Sequence, residues 1–270
     1  MYYNNIIKQR EVLYVKEHNS YYWQKKNQRA ETARAHMEKM ESQYKDEIEL
    51  SVRGTQVYGV GTPDIETRIK YVVSPTDSVT ALFEHAKGIT AMLNFASYKN
   101  PGGQFLNGSR AQEESLCHES TLYNVLKEFP DFYEWNARHL NNGLYQNRAI
   151  YSPDIVFTRN NKTCLCDVIT CASPNWSAAS HRVSTRENEL ALRSRIRFVL
   201  EIARDNQVNT LILGAFGCGV FQQDAAVVAK MFHEAAEEIF QNYNITLVFA
   251  VIPALPGQPD NLKAFQAEFK

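Results

Sequence analysis

The sequence has no cysteine pair at metal or redox spacing, no long apolar run and no excess of charge of one sign. Its five cysteines, Cys117, Cys164, Cys166, Cys171 and Cys218, are odd in number and include no Cys-x-x-Cys. That argues against a disulfide framework and against a zinc site, so no metal ligand set is expected and a reducing, cytoplasmic setting is. With 29 Lys+Arg against 30 Asp+Glu the net charge is -1, which gives the chain as a whole no field to hold it on DNA, RNA or an anionic membrane. Any polyanion must be recognised locally. No apolar stretch is long enough to span a bilayer, and the start MYYNNIIKQREVLYV carries Lys8, Arg10 and Glu11 where a signal peptide needs an apolar run. Neither a Walker Gly-Lys-Ser/Thr nor a Gly-x-Gly-x-x-Gly occurs, which disfavours a P-loop NTPase and a Rossmann dehydrogenase and implies no cofactor. What is present is the balance of an ordinary globular chain, 270 residues with 44% hydrophobic and 22% charged, long enough to bury a core without staples.

From about Ser20 to Glu49 the sequence is rich in Lys, Glu, Gln and Ala, with Ala33, Met37 and Met40 at helical spacing. This reads as one or two surface helices, either a solvated layer packed by one thin stripe or a docking helix for a partner. After it, short apolar runs such as Ile69 to Val73, Ile89 to Phe95, Ile155 to Thr158, Leu165 to Cys171, Thr210 to Leu213 and Ile245 to Ile252 alternate with amphipathic segments such as Ser78 to His85, Gln112 to Phe129, Arg186 to Arg204 and Asp224 to Phe240. The alternation predicts an α/β fold, a mostly parallel sheet with helices on both faces. No linker or repeat interrupts it, so residues 1–270 are expected to form a single domain in which about 1–55 is a helical extension.

Ligands in such sheets sit beyond the carboxyl ends of strands, and two loops stand out there. GAFGCGVFQQD (Gly214 to Asp224) joins a strand to a helix predicted to begin near Gln223. Its Gly214, Gly217 and Gly219 allow backbone N–H groups to approach an anion, with the helix N-terminus adding positive charge, though such turns are also purely structural. ASYKNPGGQFLNGSRAQEE (Ala96 to Glu114) wraps tightly at Asn100-Pro101-Gly102-Gly103 and then places Gln112, Glu113 and Glu114 at the start of an amphipathic helix with Leu116, Leu122, Val125 and Leu126 buried. Two acids in a first helical turn complement the helix dipole and need do nothing more; the same pair is also equipped for acid–base chemistry.

The motif NFASYKNPGGQFLNGSRAQEESLCHES resembles the signature of the microbial type of poly(ADP-ribose) glycohydrolase, a macrodomain family marked by a glycine triplet a few residues before Gln-Glu-Glu. The resemblance continues through RAIYSPDIVF, CASPN and LILGAFGCGVF and covers nearly the whole chain. One departure is Gln104 at the third glycine, which either turns outward or reshapes the pocket near the distal ribose. The resemblance implies a macrodomain-like three-layer α/β/α fold with a central mixed, mostly parallel sheet and an N-terminal helical extension. It implies ADP-ribose and poly(ADP-ribose), or ADP-ribosylated macromolecules, as ligands, with nucleic acid only as a modified substrate, and hydrolysis of an O-glycosidic bond of the distal ribose. Glu114 would be the catalytic acid–base residue, Glu113 would bond a ribose hydroxyl, and Gln112 would steady the loop. Asn100, Gly102, Gly103 and Gln104 would line the ligand, Gly217, Cys218, Gly219, Val220 and Phe221 would hold the diphosphate with Phe221 on the distal ribose, and Ser173 and Asn175 would lie on the adenosine side. Removal of mono-ADP-ribose from protein or nucleic acid, and an ADP-ribose-binding domain without turnover, remain the alternatives.

Adjacent helix residues point about 100° apart, so Glu113 and Glu114 are not expected to clasp one glycosidic oxygen together, and one acid must do the proton work. His118 and His181 have no partner at metal spacing and read as surface or packing residues. Cys218 reads as a small packing residue. The helix Arg186 to Arg204, with Arg186, Arg193, Arg195, Arg197 and Arg204, is either a solvated face or a strip for a polyanion.

Overall fold

The computed structural model describes residues 2–58, 69–241 and 243–270, with side chains from residue 22 onward. In chain order the elements are α1 (Tyr2–Gln43), α2 (Lys45–Gly54), β1 (Gln56–Tyr58), β2 (Ile69–Ser74), α3 (Ser78–His85), β3 (Thr90–Phe95), α4 (Gln112–His118), α5 (Leu122–Leu126), α6 (Pro130–Arg138), β4 (Ala149–Arg159), β5 (Lys162–Cys171), α7 (Trp176–Ala179), α8 (Thr185–Asp205), β6 (Thr210–Leu213), α9 (Ala225–Ile239), β7 (Ile245–Ala250) and α10 (Asn261–Glu268). The strands form one sheet in the order β1-β4-β5-β3-β6-β7-β2. β5, β3, β6, β7 and β2 run parallel, whereas β4 is antiparallel to both of its neighbours. The mixed sheet comes from a β4–β5 hairpin that turns at Asn160 and Asn161, both at positive φ (51° and 60°), the backbone a two-residue hairpin turn requires. Both strands therefore extend beyond their apolar runs.

Alternate residues of each strand feed opposite faces, as the pleat dictates. Ala91, Leu93, Ile169, Leu211, Leu213, Leu247 and Phe249 face a core shared with α8, α9 and α10. Met92, Val168, Ile212 and Val248 face a second core built with α3 to α6 and with Ala33, Met37, Ile48 and Val52 of α1 and α2. The result is the three-layer α/β/α arrangement expected, with α1 and α2 packed on one outer layer. Leu116, Leu122, Val125 and Leu126 are all buried, but they sit on two short helices rather than one. The chain breaks at Ser120, which bridges Phe157 of β4 and whose hydroxyl donates to Leu116 O and accepts from Leu122 N. β3 lies between β5 and β6, with Phe95 opposite Cys171 and Met92 opposite Ile212, so the loops leaving β3, β5 and β6 are neighbours at one end of the sheet. Among the described residues no helix is long and apolar enough to cross a membrane.

Candidate active site

The loop after β3 is folded by its two glycines. Gly102 and Gly103 both adopt positive φ (63° and 62°), accessible to glycine at little cost. Neither has room for a side chain: a Cβ at Gly102 would lie 2.6 Å from Tyr123 Cδ2, and one at Gly103 would lie 2.5 Å from Glu114 Oε1 and 2.9 Å from Glu113 Oε2. The two carboxylates thus converge on one point of backbone, although they start about 100° apart on α4. The loop reaches both by curling over the first turn of the helix. Gln104 has a negative φ (φ -113°, ψ 33°), so its backbone does not require a third glycine there. Its side chain is exposed and accepts a bond from Asn107 Nδ2 (2.9 Å), so it turns outward to solvent.

Three side chains at the start of α4 staple this loop to the sheet. Gln112 Oε1 accepts from Phe95 N (2.8 Å) while its Nε2 donates to Leu93 O (2.9 Å) and to Ser78 Oγ (3.3 Å). Glu113 Oε1 accepts from Asn94 Nδ2 (3.1 Å) and its Oε2 accepts from Ser97 N (2.6 Å). Glu114 Oε1 accepts from Gln104 N (2.9 Å) and its Oε2 from Ala111 N (3.0 Å), the latter closing one half of a capping box. Both acids are buried, but their environments differ. Burial pushes the Glu113 carboxyl up to about 8, a rise aided by the neighbouring Glu114 charge and opposed by the bonds from Ser97 and Asn94. Asn94 is itself fully buried and its Oδ1 has no hydrogen-bond partner among the described residues.

The loop after β6 supplies backbone donors rather than a helix end. α9 starts at Ala225, two residues later than expected, and Asp224 caps it by accepting from Ala226 N (2.9 Å) and Val227 N (3.0 Å). That carboxylate already occupies the helix N-terminus, so an anion would be held by loop amides. Among the described residues the N–H groups of Gly219, Val220 and Phe221 take no part in the loop's hydrogen bonds, while those of Phe216, Cys218, Gln222 and Gln223 are engaged. Gly219 has open space around it, and Val220 is 77% exposed. Gly217 is different: it has φ 78°, and a Cβ there would stand 2.3 Å from Ser173 Oγ, so this glycine seats the β6 loop on the β5 loop. Gly214 packs against Ala250 O. Burial pushes the Cys218 thiol up to about 12, and nothing nearby activates it, consistent with a packing role.

The remaining expected residues lie in the loops at the same end of the sheet. Ser173 is buried and donates to Pro174 O, and Asn175 caps α7 by accepting from Ala178 N (3.1 Å). Asn100 is exposed on the loop, its O accepting from Gly103 N. Phe221 packs with Tyr98, Tyr145 and Ala172, and Tyr98 and Tyr145 stack at 4.1 Å; this aromatic wall joins the β3 and β6 loops. His118 packs edge-on against Phe105.

The arginine helix keeps a solvated face, with Arg186 exposed, but its arginines do not line up as a polyanion strip. Arg193 pairs with Glu234, Arg197 with Glu238, and Arg195 is buried, donating to Asn147 Oδ1 (2.8 Å), to Ala172 O and to Leu144 O. Its place was legible in retrospect from the stripe it shares with Leu192, Ile196 and Val199. Asn94 gave no comparable signal, since an Asn inside an apolar strand run marks no chemistry by itself.

The family model for the microbial-type PARG catalytic domain matches residues 25–160. No curated protein sequence matches significantly. Among solved structures, poly(ADP-ribose) glycohydrolase from Thermomonospora curvata is 31% identical with a TM-score of 0.77, the match covering 90% of this chain and 100% of that one. The same enzyme bound to the inhibitor ADP-HPD is 30% identical with a TM-score of 0.78, over the same 90% and 100%. Poly(ADP-ribose) glycohydrolase from Deinococcus radiodurans in complex with ADP-ribose is 32% identical with a TM-score of 0.74, covering 83% of this chain and 97% of that one. The chain therefore belongs to the microbial-type poly(ADP-ribose) glycohydrolases, enzymes of the glycosidase class.

Proposed function

We propose that the protein hydrolyses the O-glycosidic ribose–ribose bond of poly(ADP-ribose) and releases ADP-ribose, with Glu114 as the general acid and base. The observation that carries this reading is the convergence of Glu114 Oε1 and Glu113 Oε2 on Gly103, within 3 Å of a single point on the loop. The solved relatives with ADP-ribose and ADP-HPD support a ligand of this chemistry.

In this reading the diphosphate lies on the Gly219, Val220 and Phe221 amides, an anion cradle of oriented N–H groups. Phe221 and the Tyr98–Tyr145 wall shape the space for the distal ribose. Glu113, largely uncharged near neutral pH, bonds a ribose hydroxyl and fixes the anomeric carbon against Glu114. As general acid, Glu114 brings one proton to the site. Glu114 gives that proton to the leaving ribose oxygen while the C–O bond breaks and an oxocarbenium-like ribose forms. The carboxylate then takes a proton from water as that water attacks the anomeric carbon. The diphosphate stabilises the positive charge that develops on the sugar.

Glu114→Gln keeps the shape of the residue and one acceptor but removes the exchangeable proton, so turnover of polymer should fall by about 100- to 10,000-fold, the usual worth of a general acid or base. Near-full activity in that variant would remove Glu114 from the mechanism.

A further inference from the structure

The sequence carries no overall positive field, and on α8 Arg193 and Arg197 are paired, Arg195 and Arg204 are buried and Arg186 is exposed, so this helix offers no continuous strip for the polymer beyond the scissile bond. α1 offers the place. Its core-facing stripe runs through Ala30, Ala33 and Met40, 6%, 0% and 2% exposed, and Trp23 and Lys26 continue that stripe toward the N-terminus at spacings of seven and four residues before Ala30. Yet Trp23 is 53% exposed and Tyr22 52%, because the stripe runs past the layer that buries it.

What lies under this overhang is the catalytic loop. A Cβ at Gly108 would meet Lys26 O at 2.2 Å and Ala30 N at 3.0 Å, and Arg29 Nε donates to Gly108 O (2.8 Å). Gly108 is one 3₁₀ turn (Phe105–Asn107) from Gln104, whose N–H holds Glu114. The indole has neighbours on two sides: Tyr22 meets it edge-on at 5.5 Å, and Lys26 Nζ lies over one ring face, 5.2 Å from the centroid, which leaves the opposite face for a flat guest. The two segments that meet here are locally basic. Residues 22–30 include Lys25, Lys26 and Arg29 and no acid, and residues 96–112 include Lys99 and Arg110 and no acid, in a chain of net charge -1. An exposed aromatic beside clustered cations is the pairing that holds a base and its phosphates.

We infer that Trp23 and Lys26 form a platform for the acceptor side of the substrate, with the adenine of the neighbouring, leaving-group unit of the polymer stacked on Trp23 and its diphosphate beside Lys26. This rests on the polymer-hydrolase reading above. In that reaction the leaving oxygen belongs to an adenosine ribose, so a purine is carried on the same sugar that Glu114 protonates and has to lie against whatever borders the loop on that side. Stacking also gives the enzyme a way to tell polymer from ADP-ribose joined to a small group, since only polymer brings a second base to the platform.

The test compares the wild type with Trp23→Ala, Trp23→Phe and Lys26→Gln on two substrates: poly(ADP-ribose) of defined length and an ADP-ribosyl glycoside of a small alcohol. Trp23→Ala should raise KM for polymer about tenfold, in line with the loss of one base–aromatic stack, and Trp23→Phe should recover most of it. Lys26→Gln should weaken polymer binding and reduce its dependence on salt. Kinetics on the small glycoside should not move in any of the three. Affinity for polymer is measured in parallel in the Glu114→Gln background, so that the platform is judged even if the enzyme turns over neither substrate, an outcome that would count against the hydrolase reading alone. Unchanged polymer KM and affinity in folded Trp23→Ala overturns the inference. An equal loss on both substrates also overturns it, because the residue would then serve the loop and not the acceptor. Competition by single-stranded oligoadenylate without any change in polymer KM would assign the platform to nucleic acid instead.

Discussion

Replacement of Glu113 by Gln should alter how stability depends on pH, in a direction the burial of that carboxyl dictates. In the fold Glu113 is pushed up to about 8 from an ordinary 4.5, chiefly because burial penalises its charged form. The native state therefore keeps a proton that the unfolded chain has released. A group raised in this way contributes stability that is fully present below pH 4.5 and is lost as pH rises through 8. The interval is about 3.5 pH units, and at ~1.4 kcal/mol per unit the wild type should lose about 5 kcal/mol across it from this residue alone, as an upper figure. Gln is neutral in both states, so Glu113→Gln should lack this slope. It also has a partner available: rotation of the Asn94 amide would present the unpaired Oδ1 to the new amide, while Ser97 N keeps its acceptor. The two proteins should be similar in stability near pH 5 and diverge steadily above it, with the variant several kcal/mol more stable by pH 8. Urea unfolding of both at half-unit steps from pH 5 to 8.5 measures this, with the midpoint at constant slope giving the free energy. His36 and His118, both held below the usual range mainly by burial, act in the opposite sense, losing stability as pH falls. They are common to both proteins and cancel in the difference. A difference that stays flat from pH 5 to 8 would mean that Glu113 is ionised in the fold, and the division of roles between the two glutamates would fail with it.

Three further outcomes are expected. ADP-ribose at 100 times its dissociation constant should add ~2.7 kcal/mol to the free energy of unfolding and raise the melting temperature; no shift at millimolar ligand would place the ligand elsewhere. Gly103→Ala should cost about 1–3 kcal/mol through its positive φ and depress turnover by about 100-fold, because the methyl displaces both carboxylates; a melt and a turnover assay on the same preparation check this, and normal activity would contradict the convergence of the two acids. Gly219→Val should leave the melting temperature nearly unchanged, since that position is open and not at positive φ, yet weaken ADP-ribose binding by about 10- to 100-fold through lost bonds to a charged group. Gly217→Val should instead damage the fold, which makes Gly219 the clean probe of the diphosphate cradle.

Much of the fold was legible because burial writes itself into spacing. The strand runs and the helices α3, α8 and α9 follow from apolar periodicity, and the expected buried leucines of α4 and α5 are all buried. The β4–β5 hairpin was harder, because its ends are polar and its turn is made by two asparagines with no glycine to mark it. Gln112, Glu113 and Glu114 were readable as a helix start, but not the curl of Gly102 and Gly103 that brings two acids to one point, since that depends on a Tyr123 ring and a loop packed from above by α1. The outward turn of Gln104 could not be read from residue type, since it depends on its backbone angles and its bond with Asn107. Arg195 was misread because a count of arginines along a helix does not say which lie on the buried stripe.

The most direct test of the account is turnover of defined poly(ADP-ribose) by Glu114→Gln, together with its affinity for ADP-ribose by calorimetry. The account predicts turnover lower by about 100- to 10,000-fold with affinity changed little, because the lost group moves a proton and does not hold the ligand. Near-wild-type turnover with a folded protein, or a loss of affinity that by itself accounts for the loss of rate, would contradict the assignment of the proton work to Glu114.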